Sequence, residues 1–337
     1  MTPIQTAARA IATAHSVDPD DLTELPGGVA NHVFRLGPTL ILRIPRSHDF
    51  TADLHKEITV IPAARRAGVR TPAIVAQGII PVDGIPTPYV VMDRVDGTDL
   101  VTRPGTSIWP DLGREVALLH QVRQPGPSGA SASASASASA SASASGRLPE
   151  GSDTDNSSSM ELPGVPEDSG TGRGSADELV DGGYLDPETG QWLSSWMDEL
   201  RGRFDESSPK VLLHGDLAPQ NLMVDDAGRF AALIDWGDAA WGPRGMEFAK
   251  LRLEDVARVL PAYKEVADVR FGPGELEAAV LWFHLQWGLS NLTGPPRPGE
   301  RHWTAPPASR MLGVLRFLTS GPPTPWDELI KKVDLWV

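Results

Sequence analysis

The segment HGDLAPQNLMV, residues 214–224, and the LIDWGDA that follows at 233–239 concentrate the groups best able to do chemistry. His214, Asp216 and Asn221 fall in an H-x-D-x4-N spacing, Asp235 closes the next apolar run, and Asp238 follows three residues later. A carboxylate loses hydration when buried, so acids at the ends of apolar runs imply a cation or a proton to handle. The runs VLL, LMV and FAALIDW read as short strands, the last ending in Asp235. A Gly-Asp turn and a proline stiffen the loop between the first two, as a scaffold for reactive groups requires. DDAGR then turns the chain, so Asp225 and Asp226 act as turn residues while Asn221 comes close to Asp235. An amide oxygen beside a carboxylate is a hard-oxygen site suited to Mg2+ that also holds phosphates. Asp216, one loop away, is placed to accept a proton from a hydroxyl.

The elements that must position these groups divide the 337 residues in two. A helix is expected over 2–15, with Ile4, Ala7, Ala8 and Ile11 on one face. Short strands follow at 22–25, 32–36, 40–44, 74–78 and 89–94, interrupted by one helix over 51–67. Beyond Gly97 the pattern turns helical, at 109–122, 192–201, 254–266 and 275–289. A β-rich front and a helical back predict an α+β fold of two lobes: an antiparallel N-terminal lobe over 1–95 and a helical C-terminal lobe over 96–125 and 178–337. Between them, residues 126–177 include an Ala-Ser alternation from Ala130 to Ser145 flanked by Gly, Ser, Pro and acid. Such side chains bury too little apolar surface to offset chain ordering, so the stretch is expected to be a disordered surface insert.

Composition narrows the partners. With 30 Lys+Arg against 44 Asp+Glu, the formal charge is −14, which disfavours polyphosphate backbones and so nucleic acid, and slightly favours a cationic small molecule. There is no cysteine, which removes disulfides and thiolate chemistry. The start lacks a signal-peptide core and no run reaches the roughly 18–20 apolar residues of a membrane span. A cytoplasmic protein, monomeric or homodimeric, is the expectation.

The motif HGDLAPQNLMV…LIDWGDA resembles the catalytic signature of the aminoglycoside phosphotransferase family of small-molecule kinases, over about residues 22–122 and 184–289. The resemblance implies a protein-kinase-like bilobal fold, ATP or GTP as phosphoryl donor, Mg2+, and a hydroxyl-bearing small molecule as acceptor. It implies that Asp216 orients the hydroxyl and takes its proton, that Asn221 and Asp235 ligate Mg2+, and that His214 braces the loop. In the front half, ELPGGVANHVFRL would cover the phosphates with its hairpin at Gly27, Gly28, Val29 and Asn31. LILRIPR, similar to a stretch of macrolide kinases, would put Ile41 over the base and Arg43 on the phosphates, with Glu57 fixing Arg43. Asp53 is the other nearby acid. Backbone groups from Asp93 to Val95 would meet the base edge at a hinge, and Met223 and Ile234 would form the floor beneath it. Glu247 matches an acid that braces the catalytic loop, and Asp238 supports the metal, faces substrate or is a solvated loop acid. Trp282, Trp287 and Trp303 line the acceptor pocket or fill the core, helical spacing favouring core. An antibiotic acceptor, of aminoglycoside or macrolide type, is the leading expectation. A metabolic kinase of an amino alcohol, amino sugar or homoserine is the alternative, with a nucleotide-binding pseudokinase scaffold or a metal-dependent hydrolase as readings of another class.

Overall fold

The computed structural model describes residues 1–26, 28–103, 105, 107–124, 162, 164–170, 175–294 and 307–330. Gly27, Trp303 and most of the expected insert lie outside the described residues. The chain opens with helix α1 (Pro3–Ala14), started by a capping box in which Thr2 and Gln5 exchange side-chain and backbone hydrogen bonds. Strands β1 (Leu22–Leu25), β2 (Asn31–Leu36), β3 (Leu40–Pro45), β4 (Ile74–Val82) and β5 (Ile85–Asp93) form one antiparallel sheet in the order β1-β2-β3-β5-β4. Period-two alternation gives β3 two distinct faces. Leu42 and Ile44 are fully buried, in a cluster with Ala8, Ile11 and Ala12 of α1. Burying each such side chain favours folding by about 1.5–3 kcal/mol. Ile41 and Arg43 occupy the opposite face of the strand, and Ile41 packs against the main core. Helix α2 (Thr51–Arg66) packs on β4 and β5 and buries Leu54, Glu57, Val60 and Ile61.

β4 and β5 run longer than expected because Asp83 and Gly84, at φ 54° and 79°, make a tight hairpin turn. Asp-Gly is a strong signal for this turn, since both central positions need positive φ. The chain then leaves the sheet and forms β6 (Thr98–Asp99), which pairs with β8 (Leu222–Val224). Gly97 sits at the crossing with φ 131°, and a Cβ there would stand 2.1 Å from the Val224 carbonyl oxygen. The chain therefore enters the second half against the backbone of the very strand that follows Asn221.

The second half holds helices α3 (Trp109–Leu119), α4 (Ala176–Asp181), α5 (Pro187–Arg201), α6 (Leu253–Val266), α7 (Glu275–Leu292) and α8 (Pro307–Thr319). Among them lie two small sheets, β7 (Val211–Leu213) with β10 (Ala240–Gly242), and β8 with β9 (Phe230–Leu233) beside β6. Among the described residues, no helix is long and apolar enough to cross a membrane. The stretch expected to be a disordered insert is structured at its end. Leu162 is buried, Trp241 donates its backbone N–H to the Pro166 carbonyl at 2.8 Å, and Asp168 returns one to Trp241 at 2.8 Å. Glu167 joins Gln124 at 2.8 Å and Lys210 at 2.7 Å, and Ala176 and Asp177 already belong to α4. Composition misjudged this part: Leu162, Val165 and Pro166 carry enough apolar surface and backbone pairing to hold residues 164–170 against β10.

Candidate active site

Arg43 ties the two halves together at the expected site. From β3 its Nη1 donates to both Glu57 oxygens, at 2.7 and 2.8 Å, and its Nη2 donates to Asp235 Oδ1 at 2.7 Å. The guanidinium fork suits two carboxylates at once, where a lysine would offer a point charge. Burial alone would depress the Arg43 pKa, but Glu57 and Asp235 outweigh it and drive it upward. Burial pushes the Glu57 carboxyl up to about 8 against the pull of Arg43, with Asp235 adding to the rise. Asp235 stays below the ordinary carboxylate range, since Arg43 outweighs its burial. Its side chain is 48% exposed, against 1% for Glu57, so it is the carboxylate of the pair that remains open to a ligand. Asp53 is not part of this triad and pairs with Lys56 at 3.2 Å.

Asp235 does not end a strand. β9 stops at Leu233, and Asp235 takes a left-handed conformation with φ 70°. A non-glycine residue rarely adopts that region, and its use here marks a position over-determined by its surroundings. Staying extended would carry the next side chains on in strand alternation; the kink instead delivers the carboxylate to Arg43 and drops Trp236 into the core. The hairpin of β8 and β9 does bring the expected neighbours together, with Ile234 donating its N–H to the Asn221 carbonyl at 3.0 Å. Asn221 Nδ2 in turn donates to Asp216 Oδ2 at 2.8 Å and to the Asp216 carbonyl at 2.9 Å. Asp216 Oδ1 is buried and completes no hydrogen bond, though the Lys250 ammonium lies 3.2 Å away.

The loop that presents Asp216 is held from behind. His214 is fully buried; its Nδ1 accepts the Asp216 N–H at 3.2 Å, so its Nε2 carries the proton and donates to the Ile234 carbonyl at 3.1 Å. Its ring lies 4.5 Å from that of Trp236. Gly215 adopts φ 79°, and a Cβ there would stand 2.1 Å from the Asp238 carbonyl oxygen, so the middle residue of H-G-D is dictated by space. Glu247, 2% exposed, accepts the backbone N–H groups of His214 at 2.7 Å and Gly215 at 3.1 Å. Behind it, Arg244 donates to the Tyr263 hydroxyl at 3.1 Å, Tyr263 lies 2.8 Å from His120 Nδ1, and His120 Nε2 lies 3.4 Å from Glu247. Burial would raise the Glu247 carboxyl, but hydrogen bonding with His120 and His214 brings it below the ordinary value. Burial lowers His120 beyond what Glu247 restores, so the chain runs through a neutral imidazole.

The remaining expected residues fall as follows. Met223 and Ile234 are half-buried beside Asn221 and Asp235. Asp93 is exposed at the end of β5, and Val95 lies half-buried in the crossing between the sheets. Val29 is 83% exposed, Gly28 has open space around it, and Asn31 is buried with its Oδ1 unpaired. Trp282 belongs to the core, whereas Trp287 is only partly buried. Asp238 pairs with Lys250 at 2.9 Å. Sequence reasoning missed Lys250, Arg244, Tyr263 and His120: none stands in a motif, and only the fold brings them to the loop. Among the described residues no group of three or more His, Cys, Asp or Glu forms a self-sufficient metal site.

The model of the phosphotransferase enzyme family (APH) matches residues 21–279. Aminoglycoside 2'-phosphotransferase-IIIa in its GDP complex is similar in structure at TM-score 0.50 and 18% identity, covering 88% of this chain and 91% of its own. The apoenzyme of macrolide 2'-phosphotransferase MphH from Brachybacterium faecium is similar at TM-score 0.51 and 16% identity, covering 96% and 95%. A choline/ethanolamine kinase family protein from Mesorhizobium loti is similar at TM-score 0.50 and 17% identity, covering 91% and 90%. Comparison with curated proteins gives no match. At these identities the structures speak for the fold, and the family match spans most of the chain, both lobes included: this protein belongs to the phosphotransferase enzyme family and has its kinase-like fold.

Proposed function

We propose that the enzyme moves the γ-phosphoryl group of ATP or GTP to a hydroxyl with the help of Mg2+. The observation that carries this is the convergence at one place of Arg43, drawn from the sheet, with Asp235, Asn221 and Asp216, drawn from the helical half. Arg43 is held by Glu57 with its charge secured, as a phosphate ligand must be. Asp235 and Asn221 supply hard oxygen donors and fit Mg2+, which commonly keeps one or two protein ligands and takes the rest from phosphates and water. When bound, the ion would neutralise charge on the phosphates. Asp216, its Oδ2 fixed by Asn221, presents Oδ1 to orient an acceptor hydroxyl and take its proton as the phosphoryl group arrives. Gly28, Val29 and Asn31 cover the phosphates together with Gly27. Ile41, Met223 and Ile234 flank the base, and the backbone from Asp93 to Val95 meets its edge.

Antibiotics of aminoglycoside or macrolide type are the acceptors to test first, because they are named for two of the three similar structures; amino alcohols, named for the third, come next. A nucleoside triphosphate donor points to the cytoplasm as the site of action. Incubating the protein with Mg2+, ATP or GTP and a panel of both compound classes should give one acceptor with a mass gain of about 80 Da, one phosphoryl group in place of a hydrogen. Asp216→Ala should retain nucleotide binding and lower transfer by orders of magnitude. Full activity in that variant would overturn the assignment, and a wild-type protein that binds nucleotide but phosphorylates nothing in the panel would favour a scaffold.

A further inference from the structure

One short segment reaches the catalytic loop twice. The 3-10 segment Arg244–Lys250 carries Glu247 to the backbone of His214 and Gly215, and Lys250 to the side chain of Asp216. The segment is itself fixed. A Cβ on Gly245 would stand 2.8 Å from that of Ala279 in α7, and Arg310 of α8 donates to the Ala249 carbonyl at 2.7 Å. The Lys250 ammonium lies 3.2 Å from Asp216 Oδ1, 2.9 Å from Asp238 Oδ2 and 5.5 Å from the centre of the Trp287 ring. It is thus held from three sides.

Exposed ion pairs contribute little, because water and salt screen them. This contact is of another kind: the Lys250 and Asp216 side chains are each 14% exposed, while Asp238 at 59% is the outer anchor. Asn221 already fixes Oδ2 and the backbone of Asp216, which leaves rotation of the carboxylate about its last bond. A cation beside Oδ1 removes that freedom and keeps the oxygen that must meet the hydroxyl in one place. Misplacing such a group by about 1 Å can cost on the order of 100-fold in rate.

We propose that Lys250 is a positioning residue for Asp216, acting on the acceptor side of the phosphoryl transfer, with Asp238 as its outer anchor; this rests on the role assigned to Asp216 above.

The test compares Lys250→Met, Lys250→Arg and Asp238→Asn in steady-state transfer with the acceptor found above, alongside thermal unfolding. Lys250→Met keeps the stem and removes the charge. It should lower kcat by about 10- to 100-fold with the nucleotide KM unchanged, and Lys250→Arg should recover part of that loss. Asp238→Asn should lower kcat less than Lys250→Met. A Lys250→Met protein that loses Tm but keeps kcat at temperatures where it is folded has only a structural lysine, and the proposal fails. A loss confined to nucleotide KM also overturns it, since Lys250 would then serve the donor. If Asp216→Ala retains full activity the reading of the site itself is wrong, an outcome separable from the failure of Lys250.

Discussion

Glu247 offers a test of how the catalytic loop is held, and its magnitude can be worked from the contacts. Its Oε2 accepts from the His214 N–H at 2.7 Å and faces His120 Nε2 at 3.4 Å, while Oε1 accepts from the Gly215 N–H at 3.1 Å. Glu247→Gln preserves the volume but supplies only one oxygen. With that oxygen in the place of Oε2, the amide NH2 faces the Gly215 N–H and leaves one buried donor unpaired. An unsatisfied buried donor costs about 1–3 kcal/mol, out of a total stability of about 5–15 kcal/mol for an ordinary domain. Glu247→Ala strands both donors and should cost roughly twice as much. Urea unfolding at pH 7 measures the difference, provided the m-value is unchanged. Acid sharpens it. The folded Glu247 carboxyl sits below its ordinary 4.5, so its contribution is complete above that pH and is lost as pH falls through the folded value. The gap between wild type and Glu247→Gln must therefore narrow on acidification below 4.5. His120, depressed from 6.5, adds its own acid loss, which is larger in Glu247→Gln because the lift from Glu247 is gone, so the narrowing is read only below 4.5. A Glu247→Gln protein within about 0.5 kcal/mol of wild type at pH 7, a difference typical of surface substitutions, refutes the bracing role.

Two further outcomes follow from the site and its surroundings. Asp235→Asn keeps a hydrogen-bond acceptor for Arg43 but halves the local negative charge, and should weaken Mg2+-dependent nucleotide binding by at least tenfold, about 1.4 kcal/mol, read by calorimetric titration with and without Mg2+; an unchanged Mg2+ dependence removes Asp235 from the metal site. Excising residues 126–160 should leave turnover and Tm in place, because Gln124, before the cut, already donates to Glu167, beyond it, at 2.8 Å. Excision through 174 also removes the pairing of Pro166 and Asp168 with Trp241, and should lower Tm by several degrees; equal Tm for the two deletions would show that this pairing contributes nothing.

What could be read from the sequence was what local chemistry specifies. The strand alternation in LILRIPR put Arg43 and Ile41 on one face, and the structure keeps them there because Leu42 and Ile44 are claimed by α1. The helices expected over 51–67 and 254–266 survive Pro62 and Pro261 within them, since their buried faces contribute more than one lost backbone bond removes. The partnership of Arg43 with Glu57, implied by resemblance, appears as a two-oxygen contact. What was not legible depends on distance along the chain. Arg43 and Asp235 are 192 positions apart, and His120 and Tyr263 143 apart, so no local pattern announces either contact. The kink at Asp235 was hidden for a different reason: FAALID has the composition of a continuing strand, while the groups met after Leu233, Arg43 at the Asp235 carboxylate and Thr71 at the Trp236 indole, come from far along the chain.

The same contrast explains why the acids of this site are not interchangeable. Asp235 and Glu57 share one guanidinium, yet one is half open and held low while the other is sealed and pushed up. Burial sets that division, and it assigns the open carboxylate to the ligand and the sealed one to the scaffold. Asp216 and Asp238 share one ammonium in the same manner, the first sheltered and the second mostly in water. Each cation thus couples an inner carboxylate to an outer one, but the order of use is reversed between the two. In the proposed function the outer acid at Arg43, Asp235, is the group offered to the ligand, being the half-exposed one of its pair. At Lys250 the proposed base is the inner acid, Asp216, which is sheltered from water and fixed in direction. Exchanging the roles within either pair would expose the base to solvent or bury the metal ligand beyond reach, so burial, more than residue type, divides the labour among these four carboxylates.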